Sequence, residues 1–202
     1  EAAKEQRVTR FIHMSALNAD AQGFTPYYVS KGKAENVVRH SGLNFTIFRP
    51  SFILGPGDAV YTMLANMIRR IPFGMMPIFG DGSYRHQPMS VYNVAEGFVN
   101  CLQNPKAFHR TYNAGGPESF TYREQLEIIA ELVGKRLNPV HVPMPLSKVG
   151  VDLTSWLPFS PIDRDRLAML IHDNVCDPSD FSNDLNIDLW PFKKSLHYLK
   201  SD

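Results

Sequence analysis

The segment VTRFIHMSALNADAQGFTPYYVSKGKAENVVRHSGLNFTIFRP, residues 8–50, decides the fold of this chain. It opens with a short apolar run at residues 8–16, which is typical of a buried parallel strand. Pro26 suits the first turn of a helix that runs to His40, where a Ser-Gly pair ends it. Residues 44–50 are a second apolar run, ended by a proline. A strand, a helix and a strand at this spacing predict a βαβ unit.

Strands and helices continue to alternate over residues 1–115, and the pattern then changes. Residues 116–202 are mainly helical and are punctuated by prolines. The clearest helix there, at residues 120–135, begins with a capping box formed by Thr121 and Glu124. We therefore predict an α/β protein, with part of a doubly wound parallel sheet followed by a small, mainly helical region.

The composition excludes several classes of protein. The chain has 202 residues, 44% hydrophobic and 20% charged, and its net charge of +1 gives no electrostatic basis for nucleic-acid binding. No apolar run approaches the ~20 residues of a membrane-spanning helix and no signal peptide is visible, so we predict a cytoplasmic protein without a transmembrane segment. The distant Cys101 and Cys176 are predicted to be buried thiols in a reducing compartment. The seven histidines are scattered, which predicts no metal site.

Tyr27 and Lys31 stand one helical turn apart, so they share a face of the predicted helix. A free phenol has a pKa near ~10, and a neighbouring ammonium lowers that pKa because it favours the phenolate. Such a tyrosine can exchange a proton with an alcohol or a ketone. Ser15 precedes this pair at the carboxyl end of a strand, where open α/β sheets bind ligands. The alternative is an exposed Tyr beside an exposed Lys, because this spacing is common by chance.

Several motifs extend this pattern in a fixed order. HMSA at residues 13–16, YYVSKGKAE at 27–35 and FRPSFILGPGD at 48–58 are followed by GDGSYRHQPMSVYNVAEG at 80–97. Together they resemble the extended and atypical branches of the short-chain dehydrogenase/reductase superfamily, which include NAD-dependent nucleotide-sugar epimerases and dehydratases. The resemblance covers residues 8–145. It is closest to the atypical group that contains the nucleotide-binding accessory subunit of respiratory complex I.

This resemblance implies roles for individual residues. Tyr27 would be the general acid/base, Lys31 would hold the nicotinamide ribose and lower the pKa of the tyrosine, and Ser15 would orient the substrate oxygen. The residues that would line the nicotinamide are Pro50, Ser51 and Phe52.

The resemblance also implies an organisation and a substrate contact. It assigns residues 1–115 to a partial NAD(P)-binding domain, with some substrate-region segments at residues 58–90, and residues 116–202 to a helical substrate-binding region. Arg85 matches an arginine that binds substrate phosphates in sugar-nucleotide epimerases, although a surface charge is an equal alternative. Asn93 stands where the family often has Asp, and we interpret it as a helix N-cap.

One family motif is absent from the sequence. Family members begin with a strand and a glycine-rich turn, T-G-x-x-G-x-x-G, whose amides hold the pyrophosphate. We interpret its absence as the loss of roughly the first hundred residues of a typical member. The cofactor is therefore predicted to be NAD or NADP, with a complete site that needs this further half. The chain would be part of a longer protein or would pair with another chain.

Two functions follow from the resemblance. The first is an NAD(P)-dependent epimerase, dehydratase or reductase that acts on a nucleotide sugar or a similar hydroxyl or keto substrate. The alternative is a non-catalytic accessory subunit that binds a nucleotide. Partners would be this small-molecule substrate, together with either further copies of the chain or a membrane-bound complex. Three residues at helical spacing, Leu153, Trp156 and Leu157, are predicted to be core, with a partner or membrane-surface contact as the alternative.

Overall fold

The computed structural model describes residues 2–154 and 163–200. The chain forms two compact units that interleave in sequence. The first unit comprises Glu1–Ile53, Gln87–Glu118 and Asn174–Phe192, and the second comprises Leu54–His86, Ser119–Asp173 and Lys193–Asp202. The chain leaves the first unit three times, after Ile53, Glu118 and Phe192. The functional labels given to residues 1–115 and 116–202 stay predictions.

The strands within the described residues are β1 (Phe11–Met14), β2 (Phe45–Pro50), β3 (Ile53–Leu54), β4 (Met75–Phe79), β5 (Arg85–His86), β6 (Met89–Ser90), β7 (Arg110–Ala114), β8 (Phe120–Thr121) and β9 (Asn138–Val142). The α-helices are α1 (Ala2–Glu5), α2 (Pro26–Arg39), α3 (Val60–Arg70), α4 (Val91–Asn100), α5 (Tyr122–Leu132), α6 (Met144–Thr154), α7 (Arg164–Leu170), α8 (Ser179–Leu185) and α9 (Phe192–Ser195). Short 3-10 helices occupy Pro72–Gly74, Pro105–Ala107 and His197–Lys200.

The first unit is built on a parallel sheet with the strand order β1-β2-β7. Phe11 pairs with Phe45 across β1 and β2, and Phe48 pairs with Tyr112 across β2 and β7. α2 connects β1 to β2, as a parallel pair requires a crossover. The βαβ unit predicted from residues 8–50 is therefore confirmed.

α2 begins and packs as its sequence dictates. The Thr25 side chain accepts a hydrogen bond from the Tyr28 amide, and Pro26 occupies the first turn. At Gly32 the helix closely approaches the preceding loop, since a Cβ there would lie 2.2 Å from the backbone carbon of Asp20. Val38 joins a small core beneath the helix with residues of β1 and β2. The helix is thus packed against β1, β2 and the loop that precedes it.

The larger core of the first unit surrounds Phe48. Its ring lies 5.1 Å from Phe98, 5.5 Å from Phe181 and 5.9 Å from Tyr112, measured between ring centroids. Cys101 is buried in this cluster as a free thiol, as predicted, whereas the free Cys176 is only half-buried. Residues from segments far apart in sequence therefore pack around Phe48 of β2.

The structure contradicts the predicted role of Asn93 as a helix N-cap. α4 begins at Val91, and its N-cap is Ser90, whose hydroxyl accepts from the Tyr92 amide. Asn93 is buried, its Nδ2 donates to the Asp188 carbonyl at 2.9 Å, and its Oδ1 accepts from the Trp190 amide at 2.8 Å. The N-cap interpretation is wrong because this side chain holds a distant segment instead.

The second unit contains the parallel pair β4–β9 and the antiparallel pair β5–β8. The predicted capping box of α5 is present, with Thr121 and Glu124 bonded reciprocally. A buried chain of hydrogen bonds runs from Tyr61 Oη to Gln125 Oε1 at 2.9 Å, and from Gln125 Nε2 to His86 Nδ1 at 3.1 Å. Burial lowers the pKa of His86 to about 4, which keeps this network neutral.

The core prediction for α6 is wrong at Leu153, which is 69% exposed. The buried residues of this helix are Ser147 and Val151, one turn apart, and Leu153 lies on the opposite face. Trp156 and Leu157 lie outside the described residues. No helix in the described part of the chain is long and apolar enough to cross a membrane.

Candidate functional site

The structure brings Tyr27 and Lys31 together on α2. The Lys31 ammonium lies 5.7 Å from the centre of the Tyr27 ring, and it donates a hydrogen bond to the Met14 carbonyl at 3.0 Å. Tyr27 is 43% exposed, whereas its neighbour Tyr28 is buried. A ligand can therefore reach Tyr27 at the carboxyl end of β1.

The pKa of Tyr27 differs from the expectation. Burial raises this pKa above its ordinary value, whereas the sequence interpretation expected Lys31 to lower it. The Lys31 ammonium interacts with the Met14 carbonyl and lies over the tyrosine ring, so it does little to stabilise a phenolate. In the protein alone, burial therefore favours the neutral phenol of Tyr27 over the phenolate.

Ser15 is buried and faces away from solvent. Its amide donates to the Phe48 carbonyl at 2.7 Å, which ties β1 to β2. Its hydroxyl donates to Glu35 Oε1 at 2.6 Å. The Ser15 hydroxyl therefore binds the buried face of α2, where it donates its proton to the Glu35 carboxylate. The next residue, Ala16, has no hydroxyl to replace it.

Glu35 is the buried centre of a charged cluster whose two arginines are partly exposed. We define it as Ser15, Glu35, Arg39 and Arg49, the Glu35 cluster. Arg49 donates to both carboxylate oxygens of Glu35, from Nε at 2.7 Å and from Nη2 at 2.6 Å. Arg39 donates to Oε2 at 3.1 Å. Burial acts to raise the pKa of Glu35, but hydrogen bonds from Arg49, Ser15 and Arg39 outweigh it and hold that pKa below its ordinary value.

The sequence interpretation matched Glu35 to a motif but missed this cluster. Its signal was a carboxylate one turn beyond Lys31 on the same helix, together with an arginine at the end of the next strand. The bidentate geometry fixes α2 against β2. Because Tyr27 and Lys31 stand on the same helix, the cluster also fixes their position.

The segment predicted to line a nicotinamide follows β2 directly. The Pro50 carbonyl accepts from the Leu17 amide at 3.0 Å, and the Ser51 amide donates to the Ala114 carbonyl at 2.9 Å. The Ser51 hydroxyl is buried against Asn174 and bonds its side-chain oxygen. The Phe52 carbonyl accepts from Met89 at 2.8 Å. Pro50 and Ser51 thus lie, like Ser15, at the carboxyl ends of the parallel strands. The contact of Ser51 with Asn174 was not indicated by any pattern in the sequence.

Arg85 belongs to the second unit. Its Nη2 donates to the Ser119 carbonyl at 2.6 Å, and its backbone amide donates to Asp173 Oδ1 at 2.7 Å. The side chain is exposed. The role in binding substrate phosphates stays a prediction. Within residues 2–154 and 163–200, no cluster of three His, Cys, Asp or Glu side chains could hold a metal ion.

The donor chemistry of the first unit fits the nicotinamide-ribose end of a dinucleotide. An ammonium carries three N–H donors, and Lys31 uses one of them on Met14. The remaining donors can bind the ribose hydroxyls. Tyr27, 43% exposed, supplies a further polar side chain on the same helix.

Comparisons with known proteins identify the family. Residues 1–105 match a family described as NAD(P)H-binding. The NADH-ubiquinone oxidoreductase 40 kDa subunit of Neurospora crassa is 29% identical over 208 residues, which covers 100% of this chain and 53% of that protein. The chain spans about half or less of the length of the first curated relatives that it matches.

Solved structures identify the fold. UDP-glucose 4-epimerase from Thermotoga maritima superposes with a TM-score of 0.73 at 17% identity, covering 98% of this chain and 64% of that one. dTDP-glucose 4,6-dehydratase from Bacillus anthracis, in complex with NAD, gives 0.73 at 16% identity, covering 98% and 63%. The predicted α/β fold, the resemblance to the short-chain dehydrogenase/reductase superfamily and the NAD(P) cofactor class are confirmed. This chain belongs to the NAD(P)H-binding family, with the Rossmann-type fold of the epimerases and dehydratases.

Proposed function

We propose that this chain contributes the nicotinamide-ribose end of an NAD(P) site in a nucleotide-binding accessory subunit, which retains its nucleotide for stability. The observation that carries this proposal is the commitment of the Ser15 hydroxyl to Glu35. The serine hydroxyl then has no proton left to donate to a substrate keto oxygen. Lys31 and Tyr27 keep groups that suit a bound ribose.

The relatives support the same reading. The Neurospora crassa relative, which the whole chain matches, bears the name of a subunit of NADH-ubiquinone oxidoreductase. In this role the nucleotide would stabilise the fold by mass action, because it binds the native state and not the unfolded chain. The partner would be a membrane-bound complex, with the chain at its periphery.

The second candidate is an epimerase, dehydratase or reductase that acts on a nucleotide sugar or a similar substrate. It is favoured by the exposed Tyr27 side chain, whose ring lies 5.7 Å from the Lys31 ammonium. Tyr27 would exchange the proton of a hydroxyl or keto group, while the cofactor, when bound, would supply hydride transfer. Arg85 would then bind the substrate phosphates, and the protein would act free in the cytoplasm.

Two substitutions separate these functions in the protein at its natural length. For an accessory subunit, Lys31→Met weakens NAD(P)H binding by about tenfold, because it removes charge-assisted hydrogen bonds. Tyr27→Phe leaves retention of the nucleotide nearly unchanged, and no turnover of UDP-glucose or dTDP-glucose is seen with either protein. Calorimetry and analysis of the nucleotide that co-purifies provide the measurements.

Turnover in the unsubstituted protein that Tyr27→Phe abolishes would establish the enzyme and exclude the accessory role. Lys33→Met is the matched control, since Lys33 is a half-turn away on α2 and faces solvent. If Lys31→Met and Lys33→Met bind NAD(P)H equally well, the proposed contact of Lys31 with the ribose is wrong.

A further inference from the structure

Phe73 is the most exposed of the large hydrophobic side chains among the described residues, at 83%. Its backbone is in the left-handed region, with φ 55° and ψ 12°. This conformation disfavours residues with a Cβ, and a bulky aromatic there is a true outlier. Neither feature stabilises the folded chain. An exposed aromatic on a strained turn therefore points to a contact outside the molecule.

The turn is held rigidly by a neighbouring segment. The Asn138 side chain donates a hydrogen bond to the Phe73 carbonyl. The next residue, Gly74, also has a positive φ of 67°, and a Cβ there would lie 2.0 Å from the Arg136 carbonyl oxygen. The turn at Pro72–Gly74 and the start of β9 are consequently packed backbone to backbone. This contact brings the backbone of Arg136 next to the turn that carries Phe73.

Three cations stand on the segments that meet at this turn. Arg70 ends α3, and Lys135 and Arg136 precede β9; all three are exposed. Within the described residues, none of them forms an ion pair with a carboxylate. The whole chain carries a net charge of only +1, so this is a local concentration of unneutralised positive charge.

The face of the β4–β9 pair next to the turn is apolar. Met76 and Ile78 are buried on one side of β4, so Met75 and Pro77 point to the other side. Met75 is 48% exposed, and Val140, which pairs with Pro77, is 46% exposed. We define the Phe73 surface as Arg70, Phe73, Met75, Lys135, Arg136 and Val140.

We propose that the Phe73 surface docks on an anionic lipid bilayer. Phe73 would enter the interface between headgroups and acyl chains, with Met75 and Val140 behind it, while the three cations contact the headgroup phosphates. An exposed aromatic side chain next to basic residues suits binding to this interface, because burial of the apolar ring and attraction of the cations to anionic lipid act together. The inference is independent of the proposed function.

Co-sedimentation with vesicles tests this assignment. The full chain is expected to bind vesicles of phosphatidylcholine mixed with phosphatidylserine, and to bind pure phosphatidylcholine far more weakly. The triple variant Arg70→Gln, Lys135→Gln, Arg136→Gln should lose about a hundredfold in partitioning, since each cation near an anionic surface contributes roughly fivefold. Phe73→Asn should lose about tenfold, from the lost apolar insertion.

Phe73→Asn is suited to this test because asparagine tolerates the left-handed region, so the turn is kept. Its thermal midpoint should equal or exceed that of the unsubstituted protein. Val99→Ser, which removes a 66% exposed apolar residue elsewhere, is the matched control and should bind vesicles normally. The proposal is overturned if the protein does not prefer anionic vesicles, or if Phe73→Asn binds them as tightly as Val99→Ser. The latter outcome would point instead to purely electrostatic adsorption, or to a protein partner.

Discussion

The Glu35 cluster and the Phe73 surface both contain arginines, and they use them in opposite ways. In the cluster, Arg39 and Arg49 converge on one buried carboxylate that is 2% exposed. At the Phe73 surface, three cations face solvent without a carboxylate partner among the described residues. Charge matched in the interior fixes the position of elements within the fold. Unmatched charge at the surface, beside an exposed aromatic, is available for a partner.

The largest expected effect comes from removing the carboxylate of the cluster. Glu35→Ala leaves Arg49 partly buried without its partner, which costs about 3–5 kcal/mol in the free energy of unfolding. Urea denaturation provides the measurement. Glu127→Ala is the control, because Glu127 forms an exposed pair with Arg123 at 2.9 Å that contributes about 0–1 kcal/mol. Equal losses in the two variants would remove the contrast between buried and exposed charge.

The second-largest effect on stability is expected from lowering the pH, because Glu35 of the same cluster then takes up a proton. The pKa of Glu35 is lower in the folded protein than its ordinary value, so its contribution to stability is complete above that ordinary value. The contribution is lost as the pH falls towards the folded pKa, because the unfolded chain then binds the proton first. Stability measured against pH should therefore fall less steeply on the acidic side in Glu35→Gln. Parallel curves for the two proteins would contradict the depressed pKa.

The cluster also marks the limit of what the sequence can predict. The βαβ unit, the start of α2 and the convergence of Tyr27 and Lys31 are local properties, so periodicity and i,i+4 spacing were sufficient. Ser15 and Glu35 are 20 residues apart and meet only when α2 folds back on β1. The sequence interpretation therefore placed Ser15 at the strand end but did not predict the contact of its hydroxyl with Glu35.

The conformation of the Phe73 surface also could not be predicted from the sequence, for a different reason. Phe73 stands in an apolar segment, IPFGMMPIF, that resembles an ordinary strand. Its positive φ occurs in a turn that contacts the distant Asn138 and the Arg136 carbonyl. Leu153 and Asn93 were misassigned for related reasons, since the face that packs and the residue that caps depend on neighbours far along the chain. Helical spacing alone does not identify which face is buried.

A smaller effect is expected from relieving the strain at Phe73. Phe73→Asn should raise the free energy of unfolding by about 0.5–1 kcal/mol, because asparagine accepts a left-handed backbone at lower cost and little burial is lost. Phe73→Ala is the matched control, as alanine keeps the conformational penalty. Thermal unfolding provides the measurement. A loss of stability in Phe73→Asn would mean that the phenyl ring contributes to packing within the fold.

The smallest effect on stability should come from the three surface cations. Arg70→Gln, Lys135→Gln and Arg136→Gln together should change the free energy of unfolding by no more than about 0.5 kcal/mol, because exposed side chains without ion pairs contribute little to the fold. The sign should be slightly stabilising at low ionic strength, where their mutual repulsion is least screened, and should vanish in concentrated salt. Denaturation at two salt concentrations measures both. A marked loss of stability at either concentration would assign these cations to the fold, as in the Glu35 cluster, and would end the contrast between the two regions.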